Sequence, residues 1–503
     1  MGKKYLMGLD NGGTVVKAGL YCTDGSLAAE ASAPVENILG KGGIVERDMT
    51  ALWQMNVRVI REAISQAGID AADIAGLSIT GHGNGIYLVN ENGEPAANGI
   101  YSSDTRAKDH VKRYYETGVF DRIKDRTCQS IWAGQMTPLI AWLKDNKPDV
   151  LEKSKWALSC VDFIRYRLTG EAYGEATNMS GISAMNLDTG EYDDHALREM
   201  GIAEYKHLLP PIKGSAETCG KITAKASNET GLSEGMPVAG GLFDVSACSI
   251  ATGLTDSTRL CVIAGTWSIN EYVDIKPVYS NLTTYYCIDG TYLIGENSMT
   301  SATNLEWFTR QFMQEERTAM KAEGKSVYDA ANRMAETISP EESNIIFLPF
   351  LFGTNVNPDA RACFLGVSSW HQKAHLIRAV YEGIAFCHMA HIEQLLKYRS
   401  EPPLAVRIAG GLTKSNVWMQ IFADTLQLPI EVSAVGELGT LGAAMTAGVA
   451  TGCFASYEEA VRTYSKVAFT IQPDAGKKDL YRKKYCLYSK VIEALDPVWR
   501  EWN

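Results

Sequence analysis

The sequence predicts an α/β protein of two domains, each opening on a strand–turn–strand unit. Three observations carry this. The chain has 503 residues, beyond the roughly 250–300 at which a single hydrophobic core stops growing. Short apolar, β-branched runs alternate with stretches of helical spacing along its length, the pattern of a sheet covered by helices. A strand–glycine turn–strand signature near the N-terminus recurs about half a chain later, which points to duplication of one domain.

Residues 5–21 read as a hairpin: an apolar strand ends in Asn11-Gly12-Gly13, and a second strand rich in β-branched residues follows. Asp24-Gly25 makes the next turn. Over 50–67, Leu52, Met55, Val59, Ile60, Ala63 and Ile64 recur at helical spacing, with Asp48 or Thr50 as the N-cap. Ile74–Thr80 reads as a buried strand running into the glycine-rich Gly81-His-Gly-Asn-Gly85. The second signature spans Arg259–Val273, with Gly265-Thr266 at its turn. The boundary is expected near 245–258, between Gly240-Gly241 and the loop Thr255-Asp256-Ser257, giving domains of 1–250 and 251–503. Long helical patterns cover 372–398 and 478–498. Two such domains facing each other would bring both turns to the cleft between them.

Composition narrows the function classes. The chain is 46% hydrophobic and 21% charged with net charge −11, which argues against nucleic acid as a partner because no basic tract could neutralise a run of phosphates. Basic clusters such as Arg482-Lys483-Lys484 read as solvated helix faces. The 11 cysteines are single, with no C-x-x-C, so they read as small core residues in a reducing compartment rather than as a zinc or redox motif. The apolar stretch after Lys3-Lys4 is too short for a signal peptide, Gly2 lacks a myristoylation context, and no segment approaches a membrane span; the cytoplasm is the expected location.

Neither a P-loop nor G-x-G-x-x-G is present. Phosphates would instead need the tight glycine turns, whose backbone N–H groups with Thr14, Lys17 and Thr266 could cradle them; Asp10, at a strand end, would then be placed for Mg²⁺. The same turns also read as plain hairpin turns. Asp244, flanked by apolar residues after a glycine pair, is placed either as a general base whose pKa burial raises or as a helix N-cap. The run Ile408-Ala-Gly-Gly-Leu-Thr-Lys-Ser-Asn416 suits a nucleoside lying over the backbone, or a simple strand-to-helix turn. His388 and His391, three apart on a helical stretch, read as packing residues rather than metal ligands.

In chain order, Gly8-Leu-Asp-Asn-Gly-Gly-Thr14, Gly240-Gly-Leu-Phe-Asp244, Ala264-Gly-Thr-Trp267, Leu348-Pro-Phe-Leu-Phe-Gly353, Gly410-Gly411 and Gly439-Thr-Leu-Gly-Ala-Ala444 resemble the motif series of the FGGY carbohydrate kinases, over nearly the whole chain. The resemblance implies the two-domain actin/hexokinase-like (ribonuclease H-like) ATPase fold, with a cleft between duplicated domains. It implies ATP and Mg²⁺ as cofactors, Asp10 organising the metal, and Gly12, Gly13, Thr14, Lys17, Gly265 and Thr266 meeting phosphates. It further implies Gly410, Gly411 and Asn416 beside the adenosine, Asp244 as catalytic base, and a homodimer.

Sugar contacts implied by the resemblance are Glu46, His82, Asn84, Asp104 and Asp244 itself. Ser102 stands where the family commonly has Trp, and His82 and Asn84 replace the Gln and His of xylulose kinases. Val45-Glu-Arg-Asp-Met49, Ser102-Ser-Asp104, Gly240–Val245 and Asn304-Leu-Glu-Trp-Phe308 are similar to the L-xylulose/3-keto-L-gulonate kinase branch. A ketopentose or its six-carbon keto-acid relative is therefore the expected substrate. The alternatives are a polyol kinase for glycerol or erythritol, and a catalytically inactive sugar-binding sensor.

Overall fold

Strands β1 (Tyr5–Asn11) and β2 (Val15–Cys22) form the N-terminal hairpin expected from the sequence, and β3 (Leu27–Pro34) continues it as a meander. The computed structural model describes residues 5–265, 267–399 and 401–501. They divide into two compact units, each assembled from discontinuous segments.

The first unit comprises residues up to Thr255 together with Val273–Ile294 and Val435–Lys466. Helix α1 (Met49–Ala67) starts at Asp48, whose carboxylate accepts from the amides of Thr50 and Ala51 at 2.8 and 2.9 Å. Of the two expected caps, Asp48 is the one used. The helix ends at Gly68, whose φ of 63° suits a residue without Cβ. Strand β4 (Ile74–Gly81) runs parallel to β1 and is buried throughout. Helix α2 (Cys160–Thr169) follows, then β5 (Thr218–Lys221), β6 (Pro237–Ala239), β7 (Leu242–Phe243) and α3 (Asp244–Thr252). The sheet order is β5-β6-β4-β1-β2-β3, with β7 pairing β4. Leu9, Val16, Trp53, Ile79 and Phe163 share one buried apolar core between sheet and helices. The helix Leu438–Ala450, rich in Gly and Ala, lies against β1; its small side chains permit that close approach.

The second unit comprises Asp256–Tyr272, Gly295–Ala434 and Val467–Asn503. Its sheet is built from β8 (Arg259–Ala264), β9 (Ser268–Asp274), β10 (Tyr292–Ser298), β11 (Ala405–Ala409), β12 (Ile430–Ser433) and β13 (Val467–Ile471). These six lie in the order β10-β9-β8-β11-β12-β13 within a seven-stranded sheet. β8 pairs antiparallel with β9 and parallel with β11, as β1 does with β2 and β4. The next parallel neighbour and the antiparallel edge also correspond, β6 and β5 to β12 and β13. The repeated hairpin is thus part of a repeated sheet.

Helices Lys373–Leu396 and Lys478–Arg500 fill the long patterns at 372–398 and 478–498. One expectation fails within the latter. Lys484 is buried, not solvated, because its ammonium pairs with Glu382 at 2.7 Å, and Arg378 holds the other oxygen of the same carboxylate at 3.0 Å. No disulfide joins any of the cysteines. Among the described residues no helix is long and apolar enough to cross a membrane.

Candidate active site

The turn between β1 and β2 is closed by the Gly12 amide donating to Val15 O at 3.1 Å. Thr14 is exposed, and the amides of Gly13 and Thr14 make no backbone hydrogen bond among the described residues. Two adjacent N–H groups are thus open to an anion, as the phosphate reading requires. Asp10, at the end of β1, faces Lys17 across the ladder. Burial pushes its carboxyl up to about 6, with Lys17 opposing the rise and Glu437 adding to it. Lys17 is itself ion-paired with Glu437, just before the helix Leu438–Ala450. In that helix's first turn a Cβ on Gly439 would lie 2.3 Å from Asp10 Oδ2, so only glycine fits against the carboxylate.

The glycine-rich run after β4 is held to the same turn, since the His82 amide donates to Asn11 O at 3.1 Å. The His82 ring is buried, bonds to the Tyr87 hydroxyl at 2.9 Å and meets the Tyr101 ring edge-on at 4.4 Å. Burial, reinforced by the Arg47 charge, pushes the imidazole down to about 3, so it is neutral at physiological pH. Asn84 is buried in the left-handed region, φ 60°, and its Oδ1 has no partner among the described residues. An orphaned buried acceptor is costly unless a ligand completes it.

Asp104, expected as an acceptor for a sugar hydroxyl, takes four protein donors. Its Oδ1 takes the amide and Nε of Arg106 at 2.8 and 2.9 Å, and its Oδ2 takes Nη2 of Arg106 and the Val45 amide at 2.8 and 2.7 Å. Four protein donors fill its acceptor directions. Glu46 takes Arg106 Nη2 at 2.9 Å and Asn98 at 3.1 Å. Burial acts to raise the Glu46 carboxyl, but these two bonds together with the charges of Arg106 and Lys147 outweigh it and hold the group below its ordinary range.

Asp244 is the first residue of α3, and Phe243 rather than Asp244 occupies the cap position. Its Oδ1 accepts from the Val245 amide at 2.8 Å. Phe243 and Val245 are buried while Asp244 is only partly so, a smaller enclosure than its apolar neighbours suggest. The Phe243 amide donates to Thr177 Oγ1, which donates to the buried Glu175 carboxylate. The Asp244 charge reaches Tyr101, whose phenol is raised first by burial and then by that carboxylate. A Cβ on Gly13 would lie 2.4 Å from the Tyr101 hydroxyl, so phenol and turn are in contact. Asp10, the Gly12-Gly13-Thr14 turn, Lys17, His82 and Asn84 are therefore brought together with Tyr101 in the first unit, and Tyr101 lies within electrostatic reach of Asp244. Tyr101, Arg47, Thr177, Glu175 and Glu437 were not singled out from the sequence; isolated polar residues carry no spacing signal.

In the second unit the Gly265 carbonyl accepts from the Ala302 amide at 2.9 Å, while Thr266 lies outside the described residues. His388 bonds Asn270 Oδ1 at 2.7 Å, Ser301 at 3.0 Å and Ser268 at 3.2 Å. It is thus part of a polar network under the Gly265 turn, more than helix packing. Strand β11 leads into Gly410, whose φ of 92° requires glycine, then a short 3₁₀ turn and the helix Asn416–Leu426 capped by Ser415. Gly411 and Asn416 are exposed there.

The described residues contain no cluster of three or more His, Cys, Asp or Glu placed for a metal ion. Mg²⁺ commonly takes one or two carboxylates, water and substrate phosphates, so Asp10 beside the open turn fits that donor set.

Comparison with known proteins agrees with this architecture. The N-terminal domain of the FGGY family of carbohydrate kinases matches residues 5–251, and its C-terminal domain matches 260–451. The chain is 36% identical over 496 residues to the L-xylulose/3-keto-L-gulonate kinase of Escherichia coli K12, covering 98% of this chain and 97% of that protein. It is 26% identical over 515 residues to the erythritol kinase of Brucella abortus, covering 98% and 97%. The ligand-bound xylulose kinase of Lactobacillus acidophilus superposes with a TM-score of 0.91 at 24% identity, over 99% of this chain and 100% of that one, which shows the shared fold. With both domains matched in order and a relative of this identity along nearly its full length, the chain belongs to the FGGY family of carbohydrate kinases and is an ATP-dependent sugar kinase.

Proposed function

We propose that the substrate is a ketopentose of the L-xylulose type, or the related 3-keto-L-gulonate, and that Asp244 is the general base. The full-length similarity to the L-xylulose/3-keto-L-gulonate kinase carries the substrate reading. The base assignment rests on Asp244 heading α3, its charge felt by Tyr101, whose hydroxyl touches the turn at Gly13.

In this reading Asp244 takes the proton from the sugar hydroxyl as that oxygen attacks the γ-phosphoryl group, while the amides of Gly13 and Thr14, with Gly12 and Lys17, meet the phosphates. Gly265 and Thr266 serve the phosphates from the second unit, and Gly410, Gly411 and Asn416 border the adenosine. Bound Mg²⁺ would screen the phosphate charge, with Asp10 holding it directly or through water. Neutral His82 orients the sugar, and the unpartnered Oδ1 of Asn84 accepts one of its hydroxyls. Glu46 and Asp104 act through Arg106, shaping the wall of the site.

The test is ADP release with L-xylulose, 3-keto-L-gulonate, D-xylulose, erythritol and glycerol. Turnover confined to the polyols sinks the ketose reading and favours the erythritol kinase likeness. Asp244→Asn should cut kcat by at least roughly a hundredfold, the scale of a lost general base, with an unchanged melting temperature. Undiminished turnover in that variant removes Asp244 from the mechanism.

A further inference from the structure

Arg47 is fully buried, 0% exposed. The other buried basic side chains, Arg106, Arg165, Arg378 and Lys484, each meet a carboxylate. Arg47 does not. Among the described residues its guanidinium donates Nη1 to Gly12 O at 3.2 Å, Nη2 to Gly13 O at 2.7 Å, and Nε and Nη2 to Asn37 Oδ1 at 3.1 and 2.8 Å. The Tyr101 ring covers it at 4.8 Å. These contacts use four of its five N–H donors, and among the described residues no carboxylate forms an ion pair with it. A buried cation is costly without one.

The two carbonyls it grips determine where the neighbouring amides point. A trans peptide sets C=O and N–H in opposite directions, and no described peptide bond is cis. Holding Gly12 O and Gly13 O inward therefore turns the N–H groups of Gly13 and Thr14 outward, and among the described residues these two amides have no backbone acceptor.

We propose that Arg47 is the positioning residue of this turn: its fork fixes two consecutive amide donors facing away from the protein interior, and its buried positive charge favours an anion seated on them. The inference rests on the reading of the turn as a phosphate site and names the part that makes it one. The matching anion is the phosphate chain of a nucleoside triphosphate. Arg47 itself touches no substrate.

The experiment uses the full chain with Arg47→Lys, which keeps the charge but loses the fork, and Arg47→Gln, which loses both. Kinetics with L-xylulose and Mg-ATP should show kcat/KM for ATP falling about fivefold in R47K and at least roughly a hundredfold in R47Q, the scale of a lost preorganised donor. L-xylulose binding without nucleotide, measured by calorimetry, should stay within about threefold in both, a split that general loosening of the fold would not produce. Hydrogen exchange of the peptide covering Gly13 and Thr14 supplies the second readout. Mg-ATP should protect these amides in the parent and protect them less in the variants. Parent-like ATP kinetics in R47K, or in a folded R47Q, overturn the role of Arg47 even if the parent turn is protected. Absence of protection in the parent overturns the phosphate reading of the turn, and this inference with it. Should R47Q fail to fold, R47K alone decides.

Discussion

The amide of Phe243 donates to Oγ1 of Thr177 at 2.8 Å, which pins the backbone one residue before Asp244. Thr177 is in turn held by Glu175, a buried carboxylate that also accepts from Asn178 and Ser215. The proposed base is thus positioned by a polar chain from a separate segment of the first unit. Thr177→Val keeps the volume but strands the Phe243 amide and removes one of three donors to Glu175 Oε2. The expected cost is about 1–3 kcal/mol of stability, the desolvation of a buried group left unpaired. We further expect kcat to fall by roughly tenfold, a small loss of base alignment, with Thr177→Ser restoring both. Urea unfolding and steady-state kinetics on the pair check this; a stable T177V with parental kcat would show that Asp244 needs no such anchor.

Asp10 should lower stability at neutral pH. Its folded-state carboxyl is raised from 3.8 to about 6, chiefly by burial. A raised carboxyl means the folded chain holds its proton more tightly than the unfolded chain. Its contribution to stability is therefore highest below pH 4 and is lost as pH rises through about 6. Asp10→Asn removes that penalty, so the variant should be more stable than the parent at pH 8 by roughly 1–3 kcal/mol, with the gap closing toward pH 4. Denaturant melts across this range measure it. In the same variant Mg-ATP turnover should be lost, and any Mg²⁺-dependent activity at parental level would contradict the metal role.

The imidazole of His82, pushed down to about 3, stays neutral throughout the working range of such an enzyme. Its carbon-bound ring protons should therefore show no titration in NMR spectra between pH 5 and pH 8, the window in which an ordinary histidine changes charge. A midpoint near 6.5 for His82 would mean the ring is hydrated and not enclosed by Tyr87 and Tyr101. The acid limb of the rate profile should accordingly follow a carboxyl group, with Asp10 as the expected one.

The elements with strong local patterns were legible. The hairpin at Tyr5–Cys22, the helix over Met49–Ala67, the strand at Ile74–Gly81 and the two long C-terminal helices follow from period and turn chemistry alone. The fates of charged side chains were harder to read. Lys484 looked like a solvated basic residue, yet it meets Glu382, 102 positions away in the chain. Asp104, expected beside the sugar, takes donors from Arg106 and the Val45 amide on both its oxygens. Burial and pairing depend on what the rest of the chain brings alongside, and no window of sequence contains that.

By itself the sequence determined the α/β class, the repeated strand–turn–strand unit and the family, because backbone turns, apolar periodicity and an ordered motif series are local and additive. Only the tertiary structure decided which polar residues work together. It placed Gly439 against Asp10, Thr177 behind Phe243, and Arg47 beneath the carbonyls of Gly12 and Gly13. Each of those contacts joins residues distant in the chain, and each depends on an approach of a few ångströms that only packing of the whole unit can impose.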